Sequence, residues 1–254
     1  MEIAAGRIRS WLAARHSLAG ELVAVVALYC VYETGRGLVA GDAGVAVRHA
    51  DTVASIERSL HVFAEAHVQH AARAVPGLIG TLDVLYLTLH LGVTGLYLLW
   101  LHRRRPAVFP FVRTALLVAS LLALIGFLTF PTAPPRLASL GIADTISQGD
   151  VDLNHGLVSA LYNPYAAVPS MHLCYASIVG TSLFRLGGRL RVVAFIYPSL
   201  QLFVIVATGN HFFFDAATGV LVAATSLAFA RAIGGARSAR PARARVRITA
   251  PAKT

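Results

Sequence analysis

Residues 114–130, TALLVASLLALIGFLTF, carry no charge. A helix crossing the hydrocarbon core of a bilayer needs about 20 mostly apolar residues, so this run and its flanks restrict the chain to a membrane fold. The stretch is span 3, approximately 107–130, of six. Span 1 covers about 18–40, weakened by Glu21 and Glu33, and span 2 about 77–101, with Asp83 and His90 inside. Span 4 runs from near Pro169 to Arg185, span 5 covers about 190–208 around Pro198, and span 6 covers about 211–231. Composition agrees: 56% of the 254 residues are hydrophobic and 13% charged, where soluble domains carry roughly 25% charged residues. The expected fold class is all-α, a polytopic membrane protein built as a six-helix transmembrane bundle.

Residues 1–17 hold Arg7, Arg9 and Arg15, but the apolar run behind them has no small-residue cleavage site. It reads as a retained span rather than a signal peptide. Cys30 and Cys174 both lie in apolar runs, so neither a disulfide framework nor a zinc site follows. Residues 42–75 are different, with Val53, Ile56, Leu60, Phe63 and Val68 at roughly helical spacing between charges. This predicts an extra amphipathic helix lying in the interface. The domain reading is a cytoplasmic N-terminus over 1–17, a six-span catalytic domain over 18–233, and a basic, disordered cytoplasmic tail over 234–254.

The 22 Lys and Arg outnumber 12 Asp and Glu. They are spaced between apolar stretches, which excludes a nucleic-acid partner in favour of loops flanking spans. Placing both termini, Arg103–Arg105 with Arg113, and Arg185–Arg191 on one side collects 17 of those 22. The opposite side receives Arg36, Arg48, Arg58, Arg73 and Arg136. The positive-inside rule makes the first side cytoplasmic. A plasma-membrane protein with both termini inside then exposes 131–169 and the 208–211 turn outside.

Three segments on that outer side carry chemistry. In FPTAPPRL, 130–137, the prolines stop span 3 and leave Arg136 as the one basic residue of the loop. It is either a topological arginine or a guanidinium clamp for phosphate oxygens. In AVPSMHLC, 167–174, Pro169 and Ser170 open span 4, where unpaired backbone N–H groups favour an anion. His172 stands in the same turn, although a lone interfacial histidine is usually structural. In TGNHFFFDAATG, 208–219, His211 and Asp215 are four apart and share a helix face. The carboxylate would fix the imidazole tautomer, unless the pair merely satisfies itself. An arginine, a helix start, two histidines and a carboxylate together suit phosphoryl transfer through a phosphohistidine.

PSMH and HFFFD, with 38 residues between His172 and His211, resemble the second and third signatures of the type-2 phosphatidic acid phosphatase superfamily. FPTAPPR and the NHxxxDxxxG arrangement most resemble its inositol phosphorylceramide synthase branch, the inositolphosphotransferases. The resemblance covers about residues 80–230. It implies a metal-independent, cofactor-free enzyme acting on a membrane phospholipid or lipid phosphate, with His211 as nucleophile, Asp215 as its orienter and His172 as acid. Substrate binding would fall to Arg136, Ser170, Asn210 and Tyr165. The chain departs from the superfamily at Thr129, where a Lys is expected, at Leu137 in place of Pro, and at Val204 and Ile205 in place of Ser-Arg. Two phosphate-binding cations are therefore absent, which favours a phosphodiester substrate and a transferase over a phosphatase.

Other candidates carry less. His61, His67 and His70 have no carboxylate or Cys at a recognised metal spacing and read as solvated interfacial histidines. Asp83, Tyr86 and His90 share one face of span 2, either lining a headgroup cavity or pairing inside the bundle. Tyr162, Asn163 and Tyr165 precede PSMH and are candidate headgroup contacts. The contrasting functional class is a lipid transporter or flippase. It would require paired halves with broken helices and polar residues at the midplane, whereas these polar residues gather at one face.

Overall fold

A computed structural model describes residues 42–147 and 163–238, together with the isolated positions Gly20, Cys30, Val31 and 33–35. The rest of span 1, the N-terminus, Tyr162 and most of the basic tail lie outside the described residues. The described chain is helical: α1 (Ala43–Ser59), α2 (Glu65–Arg73), α3 (Leu78–Arg104), α4 (Phe109–Thr129), a 3-10 turn (Pro135–Leu137), α5 (Met171–Leu186), α6 (Leu190–Ala207) and α7 (Phe213–Ser238). No strand occurs among the described residues; one isolated parallel bridge joins Thr132 to Ala166.

Among the described residues, four helices are long and apolar enough to cross a membrane: α3, α4, α6 and residues Phe213–Gly234 of α7. Their limits track the apolar runs closely, because in lipid a helix satisfies its own backbone and the run decides where it can end. α5 differs. It has 16 residues, running from the Ser170 cap to Gly187 at φ 80°, and it is buried on nearly all sides. Ile178, Val179 and Cys174 form the core there with Val112, Ala119 and Ile205. A helix apolar all round is one enclosed by others, and α5 packs against α3, α4, α6 and α7.

Pro198 does not break α6. A proline frees the carbonyl one turn earlier and its ring needs room, and Gly180 of α5 supplies that room. A Cβ there would come within 2.8 Å of the Ala194 carbonyl and 2.9 Å of the Pro198 ring. Small residues at such crossings let membrane helices approach closely.

Residues 42–75 form two helices rather than the one expected. The break falls at Leu60–Ala64, where His61 takes a positive φ of 60°. The buried stripe also differs from the apolar one. On α1 it is Ala46, Ala50, Val53, Ala54 and Glu57, while Ile56 and Leu60 are 39% and 64% exposed. The inward face is thus small-residue and tight, and it ends on a carboxylate.

Connectivity sets the ends of the bundle. α3 and α4 are joined by residues 105–108, and α5 and α6 by 187–189, so the partners in each pair run antiparallel. Arg103–Arg105, Arg113, Arg185, Arg189 and Arg191 consequently gather at one end. The C-terminus of α4, the 3-10 turn and the starts of α5 and α7 gather at the other.

Candidate active site

The 3-10 turn bearing Arg136 is pinned from three directions. The Arg136 N–H donates to the Gly209 carbonyl at 3.0 Å, and the Ala133 N–H to the Ala46 carbonyl at 3.0 Å. His49 Nδ1 donates to the Pro131 carbonyl at 2.7 Å while its ring stacks on Phe130. Gly209 has to be glycine: its φ is +66°, and a Cβ would sit 2.6 Å from Ile142 Cγ2 and 3.3 Å from Arg136 Cβ. This close approach joins the two loops and brings Arg136 beside Asn210.

The buried guanidinium donates from Nε to Asn210 Oδ1 at 2.9 Å and pairs through one terminal nitrogen with Asp144 Oδ1 at 2.7 Å. Asn210 is itself held by Nδ2 donating to Thr208 Oγ1 at 2.8 Å. The loop carrying Asp144 is anchored on both sides. Gln69 of α2 exchanges two hydrogen bonds with the Ala143 backbone, and Thr145 donates to Asp83 of α3 at 2.8 Å.

His211 and Asp215 meet as their spacing predicts, Nδ1 to Oδ2 at 3.2 Å. The same oxygen accepts the Phe212 N–H at 2.9 Å. An ionised carboxylate only accepts, so it selects the tautomer with the proton on Nδ1 and leaves Nε2 with its lone pair. α5 starts against this turn. The Ser170 N–H donates to the Asp215 carbonyl at 3.0 Å, and Ser170 Oγ caps Leu173 N–H at 3.4 Å. Ser170 therefore builds the contact between α5 and α7. Gly219 makes the contact possible, since a Cβ there would collide with the Ser170 carbonyl.

His172 reaches the same place from α5. Its Nε2 donates to the Tyr86 carbonyl at 3.2 Å, and its ring lies 4.4 Å from Tyr86, 4.0 Å from His90 and 5.5 Å from His211, centroid to centroid. Of the residues singled out from sequence, Arg136, Asn210, His211, Asp215, Ser170 and His172 come together. Asp83, Tyr86 and His90 join them on the α3 side. Tyr165 is tied in through its backbone: its carbonyl accepts the Thr132 N–H at 2.8 Å and its N–H donates to Asn163 Oδ1 at 2.8 Å, while its side chain packs against the cluster of Phe212, Ala133 and Ala138. His61, His67 and His70 are exposed. Among the described residues no three His, Cys, Asp or Glu are grouped to hold a metal.

Besides Asp144, two carboxylates of the site escape the motifs. Glu65 Oε1 accepts the Phe213 N–H at 3.0 Å, and Glu57 Oε1 accepts the Phe214 N–H at 2.6 Å. Both are buried, at 0% and 2% exposure. Burial pushes the Glu57 carboxyl up to about 9; its hydrogen bond with Glu65 acts in the same direction and the Phe214 N–H opposes it. The sequence signal was present, because Glu57 lies one turn after Val53 on the stripe that α1 buries.

An all-helical bundle with membrane-length helices and Arg, His and Asp side chains gathered at one end has the build of a membrane enzyme that handles phosphate esters. Residues 51–229 match the PAP2 superfamily, and the chain belongs to it; its members are phosphoesterases and phosphatases. The match begins at Asp51, well ahead of residue 80 where the motif resemblance starts, and so takes in Glu57 and Glu65. No curated protein and no solved structure matches the chain.

Proposed function

We propose that the protein is a membrane lipid phosphotransferase working through a phosphohistidine, with His211 as nucleophile, Asp215 as its orienter, His172 as general acid and base, and Arg136 with Asn210 holding the phosphoryl oxygens. The observation that carries this reading is the His211–Asp215 pair facing His172 with ring centroids 5.5 Å apart. In the first step, His211 Nε2 attacks phosphorus, the P–N bond forms as the P–O bond to the leaving group breaks, and His172 gives that oxygen a proton. In the second, water or an alcohol attacks phosphorus, returns a proton to His172 and releases His211. Arg136 neutralises the charge that develops between. No metal and no cofactor take part in this scheme.

The finer reading is a phosphodiester donor of the inositolphosphotransferase kind, with a lipid phosphate phosphatase as the alternative. Charge supports the diester. Thr129 spends its hydroxyl on the Ile125 carbonyl of its own helix at 2.8 Å. Val204 and Ile205 are fully buried in apolar clusters. Asp144 already offsets part of the Arg136 charge. Such a pocket suits one negative charge better than two. The basic residues at the far end of the bundle support a cytoplasmic position for that end and for both termini, with the site facing outward from the plasma membrane.

The test is to incubate the purified protein with phosphatidylinositol, phosphatidic acid and a polyprenyl phosphate, with and without a long-chain alcohol. Headgroup transfer from phosphatidylinositol to the alcohol is expected. Release of free phosphate from the two monoesters, without transfer, establishes the phosphatase instead.

A further inference from the structure

The start of α7 is capped in an unusual way. The first N–H groups of a helix have no partners within it, and a nearby side chain normally meets them. Here Asp215 takes the Phe212 N–H. The next two N–H groups are met by Glu65 and Glu57, which lie 148 and 157 residues away along the chain. Three carboxyls thus converge on one helix end. A helix N-terminus offers roughly half a positive charge and His211 at most one more, while each unpaired buried carboxylate is costly.

The groups facing Glu57 are Glu65 from α2 and Asp215 from α7, with His211 beyond it. No Lys or Arg among the described residues pairs with either glutamate. Two adjacent buried carboxylates repel each other, and a proton on one of them relieves that repulsion. Glu57 Oε2 and Glu65 Oε2 find no protein donor among the described residues. The two carboxyls face each other over adjacent N–H groups of α7, and a proton held between them would satisfy both free oxygens.

We infer that Glu57 and Glu65 form a proton-sharing clamp whose task is to position the His211–Asp215 turn, which makes them positioning residues for the reaction. The inference rests on the reading of His211 as nucleophile. The clamp fixes two successive N–H groups, those of Phe213 and Phe214, next to the Phe212 N–H that Asp215 holds, beside the attacking ring. It also ties helices α1 and α2 to the chemistry, which explains why α1 ends its small, tight inward face on a carboxylate. A leucine at 57 would continue that apolar face but accept no hydrogen bond from Phe214. The clamp also carries a switch. Once the pair loses its proton at alkaline pH, Asp215 faces an added negative charge and the carboxyls repel each other. Activity then falls through displacement of the turn.

The experiment measures turnover of bis(4-nitrophenyl) phosphate by the full-length protein in detergent micelles, across pH, for Glu57→Ala, Glu57→Gln and Glu65→Gln. Misplacing a reacting group by about 1 Å costs about 100-fold, so Glu57→Ala should lose about 10- to 100-fold in kcat with KM little changed. Glu57→Gln keeps the acceptor for Phe214 and gives Glu65 a proton that cannot leave. It should recover most of that loss and move the alkaline limb of the pH profile upward. Wild-type behaviour in Glu57→Ala, or a loss in Glu57→Gln as large as in Glu57→Ala, overturns the clamp. Should Glu57→Ala not fold, the two glutamine variants decide: an alkaline limb unmoved in both overturns it. His211→Ala run in parallel separates the two claims. Turnover in that variant defeats the nucleophile assignment, whereas an inactive His211→Ala beside unaltered glutamate variants defeats the clamp alone.

Discussion

The two histidines sit in opposite kinds of surroundings. His211 stands at the start of α7, inside a hydrogen-bond lattice in which Asp215, Glu57 and Glu65 hold three consecutive backbone N–H groups and one ring nitrogen. His172 stands between α3 and α5 among rings. It stacks on Tyr86, tilts against His90 and hydrogen-bonds the Tyr86 backbone carbonyl. The first environment fixes one tautomer and one orientation. The second supports an imidazole in either charge state, since Tyr86 can stack on a neutral ring or a cationic one. A nucleophile that must attack in line gains from the first. A group that gives up a proton and then takes one back gains from the second.

The largest effect should come from breaking the rigid side. His211→Ala is expected to lower kcat by about 10⁴- to 10⁶-fold, as loss of a covalent nucleophile does, and no leaving group should restore it. Acid-quenched protein should carry no phosphohistidine. Equal phosphate trapping in this variant and the wild type would assign the nucleophile elsewhere.

The adaptable side should fail more gently. Removing general acid help costs about 10²- to 10⁴-fold, so His172→Ala should lose that much with an alkyl leaving group and much less with a 4-nitrophenyl ester. The phosphoenzyme should still form from the aryl ester. Comparing the two esters in one assay checks the assignment, and an equal loss with both would count against it.

The smallest effect concerns stability and pH. Glu57 is held at about 9 in the fold against its ordinary 4.5, so the folded state binds the extra proton between those values. The stabilisation is full below about 4.5 and is lost as pH rises through about 9. Thermal unfolding in micelles should therefore move to lower temperature between neutral and pH 9, and the slope should flatten in Glu57→Gln. A wild-type curve flat over that window would show that the proton is not shared in the fold.

Much of this arrangement is legible in the chain itself. The apolar runs set the four membrane-length helices within a few residues, because a membrane helix can rely only on its own length and composition. The i,i+4 pairing of His211 with Asp215 and the capping of α5 by Ser170 are local, and local geometry follows from spacing. The stripe on α1 was harder to read. Ile56 and Leu60 carry the hydrophobicity but face outward, while small residues fill the tight inner face, since closeness rather than hydrophobicity selects them where helices cross.

Sequence thus determined where the membrane-length helices run and which motif residues lie at one end of them. Tertiary structure alone decided the partners that come from far along the chain: Asp144 on Arg136, His90 on His172, and Glu57 with Glu65 on the start of α7. Periodicity reports the face a residue shares with its neighbours one turn away. It carries no record of which distant element will pack on that face, and that packing is what leaves a buried carboxyl stranded or places it against an unpaired N–H.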